Sequence, residues 1–109
     1  MSAFRIGALR HRIVLESATR TTDGGGGAFL TWLQIAELWA SITPANGTET
    51  VVADQITGRI SHEIIVRYRA DIAPAMRFRL GSRIFEIVAV LDIGERHRLL
   101  RCLCREELL

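Results

Sequence analysis

Apolar and polar residues alternate along most of this chain, and a period of two marks strands with one covered face. Leu9, His11, Ile13 and Leu15 share one parity, Arg10, Arg12 and Glu16 the other, and only Val14 breaks the pattern. The first set, His11 included, is expected to face inward. A polar stretch from Ser17 to Gly27 follows and contains Asp23-Gly24-Gly25-Gly26-Gly27. Consecutive glycines lose much backbone entropy when fixed, so this stretch predicts a mobile connection between two strands. The second strand runs from Thr31 to Thr43 with Trp32, Leu33, Ile35, Leu38, Trp39 and Ile42. Trp32, Ile35 and Trp39 would also fit a helical stripe, but Ser41-Ile42-Thr43 continue the extended pattern and Pro44 ends it.

Pro44-Ala45-Asn46-Gly47 reads as a turn. From Thr48 to Ile56 two readings stand: a short helix capped by Thr48 with Val51, Val52 and Ile56 on one face, or a long loop. Beyond Arg59 alternation returns. Ile60, His62, Ile64, Val66 and Tyr68 form one face, and Met76, Phe78 and Leu80 another. Gly81-Ser82 is a two-residue hairpin signal with glycine first. Ile84 to Leu91, almost continuously apolar apart from Glu86, suits a strand covered on both sides. Asp92-Ile93-Gly94-Glu95 turns the chain into a last strand from Arg98 to Arg105. Trp39 and Tyr68 are assigned to the core. About six strands joined by turns, without a β-α-β rhythm, predict a mainly β protein. The fold expected is a small antiparallel β-barrel with long loops and room for one short helix, in a single domain over residues 1–109.

Composition sharpens this little. At 109 residues and 49% hydrophobic, the chain suits one globular domain. It has no apolar run of membrane-spanning or signal-peptide length, so the expectation is cytoplasmic synthesis and no membrane partner. All 14 basic residues are arginine, against 12 acidic ones interleaved with them. No basic block of the nucleic-acid-gripping kind is present. Cys102 and Cys104, two apart on one strand, point the same way and suit a packed core better than a metal site, which needs further ligands at spacing.

A search for chemistry returns nothing. The tetraglycine lacks the Lys-Ser/Thr of a phosphate-binding loop. His62 and Glu63 are neighbours on a strand and face opposite sides. His97 lies in a polar turn, and Glu106-Glu107 sit near the chain end. The expectation is no catalytic residue, no metal and no cofactor.

The ordered set of Gly7-Ala8-Leu9-Arg10-His11-Arg12-Ile13, the Trp32 strand, Ala36-Glu37-Leu38-Trp39-Ala40-Ser41-Ile42, Gly47 with Glu49, and His62-Glu63-Ile64-Ile65-Val66-Arg67-Tyr68-Arg69 resembles a known family. Ile72, Pro74, Met76-Arg77, Phe85-Glu86-Ile87 and the cysteine-bearing last strand extend the likeness. It is to the head-tail joining proteins of tailed bacteriophages, also called head-closure or stopper proteins, which gene transfer agents carry too.

The resemblance implies a virion subunit assembled as a homo-oligomeric ring of about six or twelve copies. The ring would lie below a portal or adaptor ring and above a tail terminator or tail tube, closing the channel over packaged DNA. The candidate inter-subunit and inter-ring contacts are Asp23, Gly24, Gly25, Gly26 and Gly27 in the first connection and Gly47 and Glu49 in the second. Arg20 and Arg59, in or beside these connections, are the candidates for lining a DNA channel. Two other readings remain open: a tail-completion subunit of the same particle, and a small nucleic-acid-binding barrel whose aromatics would stack on bases.

Overall fold

The computed structural model describes residues 9–45 and 60–107. Within them six strands appear: β1 (His11–Thr22), β2 (Ala28–Pro44), β3 (His62–Arg67), β4 (Arg77–Leu80), β5 (Arg83–Asp92) and β6 (Leu99–Glu106). They close into an antiparallel barrel in the order β1-β2-β3-β6-β5-β4. The mainly β fold expected from alternation is the one observed. The short-helix alternative, together with Gly47, Glu49 and Arg59, lies outside the described residues.

Alternation puts one residue in two inside. Ile13 and Leu15 of β1, Ile64 and Val66 of β3, Phe78 of β4, Phe85 and Ile87 of β5, and Cys102 and Cys104 of β6 are buried in one cluster. A satellite cluster of Leu9, Ile65 and Leu99 forms outside the barrel wall, with Ile93 packed on it. Burial deprives both thiolates of solvation, pushing the Cys102 thiol up to about 12 and the Cys104 thiol up as well. Both act as small hydrophobes.

Turn chemistry closes the hairpins. Leu80 pairs with Arg83 across Gly81-Ser82, and Gly81 takes φ +61°, open to glycine at no steric cost. After β5 a single 3-10 turn, Ile93–Glu95, leads towards β6. Gly94, Glu95 and His97 all have positive φ there. The Asp92 carboxylate accepts the His97 backbone N–H at 3.2 Å and holds this otherwise unfavourable conformation in place.

Two bulges change the face that follows them. Leu15 pairs with Ala36 but Glu16 pairs with Gln34, so Ile35 is the extra residue of β2. Ile87 pairs with Cys104 but Ala89 pairs with Leu103, so Val88 is extra and Val90 packs on the core. Leu91 on the far side stays exposed, which corrects the expectation that this strand is covered on both faces.

Three further expectations are corrected. The polar stretch from Ser17 is not a connection throughout: residues to Thr22 belong to β1, and only Asp23 to Gly27 turn. His11 is exposed, because β4 runs beside β1 only from Val14 to Glu16 and no described strand pairs with the start of β1 on that side. Trp39 is half exposed, since the inward parity of β2 belongs to Leu38, Ala40 and Ile42. Tyr68 packs against the core, as assigned.

One charged group is buried at the barrel edge. Glu16 lies beside the bulge, and its carboxylate accepts Arg77 Nε at 2.7 Å and Arg79 Nε at 3.0 Å. Burial raises its pKa, but hydrogen bonds and charge from the two guanidiniums outweigh this and hold the carboxyl below its ordinary value of 4.5. A depressed folded value means the stabilisation is complete above 4.5 and fades as pH falls through the folded value.

Two predictions follow from these buried groups. Glu16→Gln should cost about 2–3 kcal/mol at neutral pH by urea unfolding, and the gap to wild type should narrow on acidification. A gap that is constant with pH would show that the carboxylate charge does not matter. Cys102 and Cys104 should stay unreactive towards a chromogenic disulfide reagent at mildly alkaline pH until denaturant unfolds the barrel; rapid labelling of folded protein would contradict their burial.

Candidate assembly surface

β1 and β2 outrun the barrel. β1 meets β4 only through Val14, Leu15 and Glu16, and β2 meets β3 only from Ala40 to Pro44. Beyond those limits, Ser17 to Thr22 and Ala28 to Leu33 pair only with each other among the described residues. The result is a two-stranded arm on a molecule measuring 54 × 29 × 27 Å.

The arm is apolar where a soluble monomer would be polar. Phe29 is 56% exposed, Leu30 56%, Leu33 51% and Ile35 42%. Phe29 and Leu33 lie opposite Thr21 and Ser17 on one face, while Leu30 and Trp32 lie opposite Arg20 and Ala18 on the other. Both faces therefore present hydrophobic surface, and among the described residues both edges present unpaired backbone groups. Such a surface marks an interface.

The root is braced. Arg77, hydrogen-bonded to Glu16, lies over the Trp32 ring at 3.9 Å, and Arg12 lies over Trp39 at 5.3 Å while pairing with Glu37 at 2.9 Å. A two-stranded ribbon is marginal alone; the Arg77 contacts tie its base to β4, and the Arg12 contacts join β1 to β2 within the barrel.

The tip is an ordered turn. Asp23 Oδ1 accepts the N–H groups of Gly25 at 2.8 Å and Gly27 at 3.0 Å, and the Asp23 N–H donates to the Gly27 carbonyl at 3.1 Å. Those backbone bonds stabilise the carboxylate and lower its pKa. Gly24 and Gly26 take φ of +84° and +92°. At Gly27 a Cβ would stand 2.7 Å from Asp23 Oδ2, so a side chain there would displace the carboxylate that closes the turn.

The structure thus places Asp23, Gly24, Gly25, Gly26 and Gly27 together at the arm tip, with exposed Arg20 two pairs from the turn. It does not bring them to Arg67, Tyr68, His97 and Arg98, which border one depression at the barrel end from which the arm leaves. Sequence reading missed the arm because its polar first strand, beside the glycines, reads as a connection and the second strand is expected only from Thr31. The signal was there: Phe29 and Leu30 are adjacent, and no parity can bury both.

Comparison with known proteins agrees with this architecture. A gene transfer agent particle, solved as its native virion, contains a chain 36% identical to this one; the match covers 92% of this chain and 96% of that one, with a TM-score of 0.70. The protein SF1141 from Shigella flexneri 2a, solved in solution, is 28% identical over 94% of this chain and 96% of its own, also with a TM-score of 0.70. No curated protein matches. The model of the phage head completion protein family matches residues 4–107, a span that takes in all six strands, and the chain belongs to that family.

Proposed function

We propose that this structural head protein acts as a connector subunit: copies form a ring below the portal or adaptor, close the DNA channel, and offer a docking face to the tail. The observation that carries this reading is the arm, with two apolar faces and two edges that are unpaired among the described residues. Family membership supplies the setting, a phage-type particle in which other virion components are available as partners. The chain in the gene transfer agent virion supports the same setting for a close structural relative.

Function here is recognition rather than chemistry. Edge strands add partners through backbone hydrogen bonds, and side chains on alternate positions select among them. Phe29, Leu30 and Leu33 are the anchors for such a contact. The nucleic-acid-binding alternative needs aromatic faces free for bases, but Trp32 and Trp39 are each overlaid by an arginine. Family membership favours the head over the tail side of the joint.

Phe29→Ser with Leu33→Ser tests the reading. Both side chains are exposed, so stability should stay within about 0.5 kcal/mol of wild type. Incorporation into particles should be lost, giving heads without attached tails by electron microscopy and quantitative mass spectrometry. Wild-type incorporation of the variant would overturn the role given to the arm. A second measurement concerns the isolated chain, which should sediment as a monomer or weak oligomer at micromolar concentration, because ordering a marginal ribbon against a neighbour has an entropic cost. A stable ring without partners would contradict it.

A further inference from the structure

Most described arginines are already engaged. Carboxylates hold Arg12, Arg69, Arg77, Arg79, Arg83 and Arg101, and Arg105 pairs with Glu86. Arg10, Arg20, Arg67, Arg96 and Arg98 have no carboxylate partner among the described residues, and of these Arg67 and Arg98 border one depression. They are neighbours, because the Tyr68 N–H donates to the Arg98 carbonyl at 3.0 Å and Arg67 pairs with Leu99. Both side chains are exposed.

Between them lies a stacked pair, Tyr68 and His97, with ring centroids 4.5 Å apart and an interplanar angle of 20°. Arg67, Tyr68, His97 and Arg98 border a shallow depression of about 370 Å³. Nearby acids are occupied: Asp71 takes both nitrogens of an Arg69 fork, Asp92 takes the His97 N–H, and Glu37 takes Arg12. Among the described residues, the Asp92 carboxylate also lies 3.5 Å from the His97 ring, and Glu95 is exposed on the adjoining turn.

We propose that this depression is a phosphodiester site through which the subunit touches the backbone of duplex DNA. It rests on the connector reading for the presence of DNA and assigns the contact to residues other than Arg20. Guanidinium forks match phosphate oxygens in geometry and charge. Among the described residues the border of this depression holds two arginines and two polar rings and no aliphatic side chain, Leu38 and Trp39 lying in the neighbouring one. A protein partner would require an apolar anchor at the centre of its contact, whereas a phosphate backbone requires only unpaired cations.

Two neutralised phosphates per subunit make a weak site that salt disperses, which suits a channel where DNA must still move. The slope of log K against log salt should be about −1.8, so affinity should fall about 40-fold between about 20 and about 150 mM salt.

The test is a nuclear magnetic resonance titration of the labelled full chain with a short DNA duplex at low salt. Duplex should shift the resonances of Tyr68 and His97. Arg67→Gln with Arg98→Gln should weaken binding at least about tenfold, Arg67→Lys with Arg98→Lys should retain most of it, and Arg20→Gln should leave it within about twofold. Full binding by the glutamine double variant would overturn the site. So would equal shifts with poly-glutamate at matched charge, which would identify an acidic protein as the partner. Incorporation of wild-type subunit into particles is scored separately. Its absence would overturn the connector reading, whereas incorporation without duplex-dependent shifts would overturn this site alone.

Discussion

β2 is 17 residues long and β4 is four, and a closed ring of strands can satisfy backbone groups only as far as its shortest members reach. That mismatch organises the molecule. Where all six strands are present, alternation buries Ile13, Leu15, Phe78 and Phe85 and the edges disappear. Where β4 ends, β1 and β2 continue alone and their hydrophobic residues lose the wall that would have covered them. Glu16 sits at this boundary, and the two arginines that hold it come from β4, the strand whose brevity creates the arm.

The fold was legible because burial inside a barrel imposes a period of two, which Ile64 and Val66, Phe78, and Cys102 and Cys104 keep even where Ile65, Leu99 and Leu103 are buried on the outer face. The Gly81-Ser82 turn and the paired cysteines were readable for the same local reason. What parity could not show was the length of a strand relative to its neighbours. Ser17 to Thr22 is polar because the arm stands in solvent, and a polar stretch beside glycines looks like a loop. Trp39 resembles a core residue in sequence, yet it is outward by register and shielded by the Arg12 guanidinium. His11 has the right parity but lies where the wall has a gap.

The candidate surfaces were legible only in part. Asp23 with its glycines was singled out as a contact, and the structure gives it a definite turn at the extremity of the arm. Arg67 and Arg98 were not singled out, since 31 residues separate them in a chain rich in arginine. Only the β3–β6 pairing makes them neighbours. Being unpaired is a property of three-dimensional surroundings, and the sequence shows only a near balance of charge.

The bulge at Ile35 has a geometric consequence. An open edge can pair with its own copy about a two-fold axis or with an unlike edge head-to-tail, and only the head-to-tail contact repeats beyond two copies. Whether such a series closes on itself or runs on as a filament depends on the angle between one subunit and the next. An extra residue in β2 bends and twists the ribbon at its base, and the Glu16–Arg77–Trp32 brace fixes that bend. In any assembly built through this arm, that bend enters the angle between neighbouring copies.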